Sequence, residues 1–111
     1  MINNTQSPAP NVETLSEMIT YQEGSVVSRT LIKKKTGTLT LFAFDKEEGL
    51  SEHTSPYEAL VQIIDGKALV TISGEEFTVD EGEVLTLPAG EPHGLKAVQR
   101  FKMLLMMIRE N

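Results

Sequence analysis

From residue 25 onward the chain alternates between two sets of side chains. Val26, Ser28, Thr30 and Ile32 interleave with Val27, Arg29, Leu31 and Lys33. A two-residue period on largely β-branched residues suits a pleated strand. The pattern predicts a strand over 25–33, a turn at Thr36-Gly37, and a second strand over 38–44 with Phe42 and Phe44 on one face. After a charged turn over 45–49, residues 59–64 read as a strand closed by Asp65-Gly66, with 67–73 as its hairpin partner. Ser73-Gly74, Glu81-Gly82 and Pro88-Ala89-Gly90 then punctuate strands over 76–79 and 84–87, and residues 94–108 carry one or two more. About eight to ten strands, with turns roughly every eight to twelve residues, predict an all-β sandwich or barrel.

The two ends depart from that rhythm. Residues 1–10 are polar, contain Pro8 and Pro10, and predict a flexible arm. Residues 14–19 predict a short helical turn with Asn11 as its cap and Glu13 near its N-terminus, stopped by Gly24. At the other end the run is apolar on both faces. Phe101, Met103, Leu105 and Met107 fall on one, and Leu104, Met106 and Ile108 on the other. A strand with one face in water does not read this way. One face is expected to meet the core and the other a second subunit, for which methionine is an adaptable surface. A homodimer is the expected assembly.

Composition narrows the classes. A chain of 111 residues fits one domain that buries about two-thirds of its unfolded surface. It has no cysteine, which excludes disulfides and thiolate metal sites. With 10 Lys and Arg against 16 Asp and Glu the net charge is -6, so phosphate backbones and anionic membrane surfaces are poor partners. Lys33-Lys34-Lys35 reads as the solvated tip of a hairpin. The longest apolar run, Met103 to Ile108, falls far short of the ~20 residues that span a bilayer. The first residues have neither the basic start nor the apolar stretch of a signal peptide. The expected location is the cytoplasm, with no nucleic-acid or membrane partner.

From Gly82 the chain reads GEVLTLPAGEPHGLKA. This resembles the second motif of the cupin superfamily, G-x5-P-x-G-x2-H-x3-N, with Gly82, Pro88, Gly90 and His93 in place and Ala97 where the asparagine would stand. Residues 49–66 resemble the first motif. Gly49 and Gly66 take the flanking glycines, His53 the first histidine and Ser55 the second, and Leu60 stands where the metal-ligating glutamate would. The resemblance implies a double-sheet jelly roll with a pocket inside. One cupin domain would then span residues 1–111, with motif one over 49–66 and motif two over 82–97.

The chemistry can be read beside that resemblance. Side chains two apart on a strand point the same way, so His53 and Ser55 share a face. Continued, that period sets Leu60, Gln62 and Ile64 on one face and Ala59, Val61 and Ile63 on the other. Pro88 ends its strand, and Gly90 permits a turn that aims His93 back across the barrel mouth. Both of the chain's 2 histidines fall on motif positions. They are expected to converge from facing walls on one cavity, with Ser55, Gln62 and Glu58 supplying polar contacts and Leu60 and Ile64 the floor. Two imidazoles plus one carboxylate with open positions is the non-haem iron pattern. Glu58 is the candidate third ligand, and the set admits one weakly held divalent metal (Fe, Mn, Ni or Zn).

Three functions stay open. One is a barrel that binds a small polar ligand in its pocket, with or without a weak metal. The second is a metal-dependent enzyme of dioxygenase or isomerase type, acting on a small acid or sugar derivative. The third is an interaction scaffold. No nucleophile–base pair, phosphate loop or dinucleotide fingerprint supports another enzyme class.

Overall fold

The structure is a computed structural model and describes residues 9–109. The N-terminal arm expected over 1–10 lies almost wholly outside these residues. Eight antiparallel strands form a jelly-roll barrel: β1 (Val26–Lys34), β2 (Gly37–Phe44), β3 (Gly49–His53), β4 (Glu58–Ile72), β5 (Glu75–Asp80), β6 (Val84–Leu87), β7 (His93–Lys96) and β8 (Phe101–Ile108). One sheet runs β1-β2-β8, then the first half of β4, then β6. The other runs β3-β7, then the second half of β4, then β5.

Strand β4 belongs to both sheets, which corrects the expected hairpin at Asp65-Gly66. That pair is a bulge within one strand of 15 residues, where the register on β8 slips between Ile63 and Asp65. Gly66 has φ +78, a backbone angle that side chains resist. The bulge bends the strand from one sheet into the other. It also shifts the buried parity from Val61 and Ile63 to Ala68 and Val70. The inside of the barrel is therefore lined by odd positions before the bulge and even positions after it.

Between the sheets lies the main core, built from Val61, Ile63, Val70, Leu87, Phe101 and Met103 with Phe44. Phe44 and Phe101 stack at its centre, ring centroids 4.4 Å apart. A second, smaller cluster lies outside the first sheet. There Ile19, with Leu15, Met18 and Tyr21, packs on Leu41, Ala43, Leu31, Ile64 and Leu104. This segment contains only a three-residue 3-10 turn, Leu15–Glu17, shorter than the helical turn expected over 14–19. Thr14 occupies the cap position and no side chain caps it, so Asn11 has no capping role. Packing rather than local hydrogen bonding holds it in place. The segment also covers Leu104, part of the outer face of β8 that the apolar pattern assigned to a second subunit.

Polar contacts strap this segment down. Tyr21 Oη donates to Asp65 Oδ2 at 2.5 Å, Lys102 Nζ to the Ser16 carbonyl at 2.6 Å, and Arg29 Nη1 to the Met18 carbonyl at 2.8 Å. Burial, then the hydrogen bond to Asp65, pushes the Tyr21 phenol well above its ordinary value. A phenol whose proton is held more tightly in the folded state adds stability in full below about pH 10 and loses it as pH climbs further. The chain should therefore lose stability above that pH. Tyr21→Phe should flatten the loss, as read from urea midpoints at pH 9 and 11; equal slopes in both proteins would exclude Tyr21 as the cause.

Asp45 shows the opposite sign. It accepts the Gly24 N–H at 2.7 Å and Arg100 Nε at 3.1 Å. The backbone N–H groups of Gly24 and Lys46, aided by Arg100, hold its carboxyl below the usual range. Such a group contributes above its unfolded value, near pH 4, and loses that contribution as pH falls through its folded value. Asp45→Asn should accordingly reduce stability at pH 7, and urea midpoints of the two proteins should draw together as pH falls below about 4.

Candidate functional site

The site is built where β3 meets β7. Their register pairs Gly49 with Lys96, Leu50 with Leu95, and His53 with His93. Two glycines allow this close approach. A Cβ at Gly49 would stand 2.4 Å from the Leu95 carbonyl oxygen, and one at Gly94 3.1 Å from that of Leu50. Gly90, at φ +79, turns the chain back into β7, and its N–H donates to the Ser55 carbonyl at 2.8 Å. That bond ties the loop after β3 to the loop before β7. The two histidines are thus cross-strand neighbours on one sheet and not residues on facing walls. Their ring centroids are 4.4 Å apart in an edge-to-face arrangement.

Each imidazole is oriented in the same way. His53 Nδ1 lies 2.9 Å from the Ser51 carbonyl oxygen, and His93 Nδ1 lies 3.2 Å from that of Glu91. A carbonyl oxygen only accepts, so Nδ1 of the neutral ring carries the proton and Nε2 is left with a lone pair. His93 is buried at 8 % exposure, whereas His53 is exposed. The pair therefore offers two acceptors, one deep and one at the surface.

Both rings open on a cavity of about 60 Å³. His53, Ser55, Tyr57 and His93 make its polar end. Ala59 and Val61 of β4, with Met103, Leu105 and Met107 of β8, form one apolar wall, and Leu50, Leu87 and Leu95 close it from the other strands. The structure thus brings His53, His93 and Ser55 together. It does not bring the other expected residues to them. Leu60, Gln62 and Ile64 lie outside the cavity lining, because β4 restarts at Glu58 after the loop and its odd positions face in. Ile64 packs instead under the N-terminal segment. Glu58 is exposed and, with Leu60, lines a separate open groove. The lining from β8, Met103, Leu105 and Met107, continues the strand face that begins at Phe101, a signal visible as strict alternation in the sequence.

The donor set bears directly on a metal. Among the described residues no three His, Asp or Glu side chains come together as a ligand group. Glu58, on the other face of β4, does not complete one. Two imidazoles hold a divalent ion only weakly unless water or a bound molecule fills the remaining positions. These residues do not fit a tightly held resident metal.

Comparison with known proteins identifies the family and the fold. The model of the cupin domain family matches residues 40–109, and the chain belongs to that family. Its fold is similar to that of a conserved protein of unknown function from Streptococcus pyogenes, 34% identical, covering 97% of this chain and 99% of that one with a TM-score of 0.91. A cupin superfamily protein from Desulfitobacterium hafniense is 27% identical over 93% and 94% of the two chains, TM-score 0.87. A Cupin 2 conserved barrel domain protein from Leptotrichia buccalis is 38% identical over 85% of this chain but only 46% of its own, TM-score 0.82. No curated protein matches the chain. Among the described residues no helix is long and apolar enough to cross a membrane.

Proposed function

We propose that the barrel binds a small organic molecule, its apolar body between β4 and β8 and its polar group on the histidine pair. The observation that carries this reading is the pair itself: two Nε2 lone pairs of fixed orientation at the end of an otherwise apolar cavity. Small-molecule sites are commonly built this way, with a few convergent polar groups in an apolar lining. That no third ligand joins the pair among the described residues favours binding over metal-dependent dioxygenase or isomerase chemistry. A cysteine-free, acidic chain needs no oxidising compartment to fold, and we place it in the cytoplasm.

Native mass spectrometry of untagged protein, with metal analysis of the same sample, tests this reading. The expected result is a small organic adduct that is lost in both His53→Ala and His93→Ala, with metal well below one per chain. His93→Ala should weaken binding by about tenfold or more, since a buried hydrogen-bond partner is removed, and His53→Ala, at the exposed ring, by less. Stoichiometric iron, manganese, nickel or zinc and no organic adduct would favour the enzyme reading instead.

We also propose that the chain is a homodimer, with a second copy seated on the outer face of the first sheet. Beyond the cover of the N-terminal segment, Leu60, Met106 and Ile108 line an open groove with Thr86 at its side. Ile108 is 63% exposed, so apolar surface from β4 and β8 lies open there. A self-facing copy would cover the same strands on both subunits. Light scattering should give twice the chain mass of 12.3 kDa, and Thr86→Lys should return it to the monomer. A monomer mass for the unaltered chain at micromolar concentration contradicts the dimer.

A further inference from the structure

The mouth of the cavity carries cations in an otherwise acidic protein. Met107, part of the cavity wall, also lines an adjoining groove of about 290 Å³ with Lys33, Thr38 and Arg109. Arg109 is held in place there. Its Nε donates to the Lys35 carbonyl at 2.5 Å, and its Nη1 to the hydroxyl of Tyr57 at 3.2 Å. The guanidinium carbon also sits over the Tyr57 ring, 5.2 Å from the centroid, and Tyr57 itself lines the cavity.

Guanidinium presents five donors in a planar fork, and these two contacts leave the remainder for a ligand. The ion pairs found among the described residues, Lys67 with Asp80 and Arg100 with Asp45, involve neither Arg109 nor Lys33. Among the described residues the carboxylate nearest in register is Glu58, opposite Ile108, and it lines the separate outer groove. Lys34 and Lys35 add positive charge at the same hairpin end.

We infer that the molecule bound in this cavity carries a carboxylate besides the polar group that meets the histidine pair, with its short apolar body inside the barrel and its anionic head at the mouth on Arg109, where Lys33 adds charge. The inference rests on the proposed binding role and names the ligand class for it. Arg109 suits the role because its fork matches a carboxylate in two parallel hydrogen bonds. The cavity volume of about 60 Å³ admits a body of about four heavy atoms, so the acid is short or branched.

Isovalerate and its neutral amide, isovaleramide, share that body and differ in the head group. Each is titrated into the full-length protein and followed by amide shifts in 1H–15N spectra. Isovalerate should move the amides around Leu95, Met103 and Leu105 and bind at least tenfold more tightly than the amide. Raising salt from 50 to 500 mM should weaken the acid several-fold and leave the amide unchanged. Arg109→Gln should bring the acid down to the affinity of the amide. Should that variant fail to fold, Lys33→Gln, on an exposed strand end, should still weaken the acid about threefold. Equal affinity for acid and amide in the unaltered chain overturns the carboxylate inference and leaves the cavity as a binding site. Shifts confined to the lysine hairpin also overturn it. Failure of both probes to move any cavity amide counts against the binding role itself.

Discussion

Phe101→Ala is expected to cost about 3–5 kcal/mol, the range for removing a wholly buried aromatic side chain. Phe101 and Phe44 are both 0% exposed and stack at 4.4 Å with an interplanar angle of 12°. The pair sits where β2 and β8 run side by side, Phe44 opposite Phe101, and Phe101 also faces the bulge at Gly66. Truncation leaves a void that three strands border, and none can collapse without breaking a ladder. A domain of this size holds roughly 5–15 kcal/mol in total, so the loss is a large share. Denaturant melts measure it, and a shift below about 1.5 kcal/mol would show that the core repacks. Phe42 provides the comparison. It borders the cavity and is only half-buried, so Phe42→Ala should cost less stability while changing ligand binding.

The second large effect is at Gly66. Its φ of +78 is unfavourable for any side chain, and a Cβ there would stand 2.2 Å from the Arg100 carbonyl oxygen and 3.0 Å from the Phe101 Cα. Both neighbours are backbone, so neither can rotate away. Gly66→Ala is expected to destabilise by about 2–4 kcal/mol, combining backbone strain with overpacking. The damage reaches further than the turn itself, because the bulge carries β4 from one sheet to the other and sets which parity faces inward. Gly74→Ala is the control. That glycine also has a positive φ, +84, but nothing lies within 4 Å of its added Cβ, so its cost should stay near the strain alone. Equal losses at the two positions would contradict the role given to the Arg100 contact.

Where the sequence was informative, and where it was not, follows from the same residues. Alternation identified the all-β fold, and the turn residues on either side located β6 over 84–87. The spacing of Gly82, Pro88, Gly90 and His93 led to the family that the chain belongs to. Parity did not carry across the loop at Pro56. β3 ends at His53 and β4 restarts at Glu58, so Leu60, Gln62 and Ile64 were placed inward although Ala59 and Val61 line the cavity. Asp65-Gly66 reads as a hairpin turn because such a pair serves equally well in a turn and a bulge. Only the pairing of Gly66 with Phe101 distinguishes them, and that contact is remote in sequence. Tyr57 and Arg109, 52 residues apart, likewise carry no local signal of their meeting at the cavity mouth.

Nitrogen-15 spectra of the two imidazoles at pH 8 test the site most directly. If His53 and His93 act together as a pair of acceptors, both rings will carry the proton on Nδ1, and cross-ring proton contacts will place them side by side. Isovaleramide, which donates N–H groups, should then shift both Nε2 resonances in the same titration. Protons on Nε2, or a ligand that moves one ring and leaves the other unchanged, would contradict a shared site.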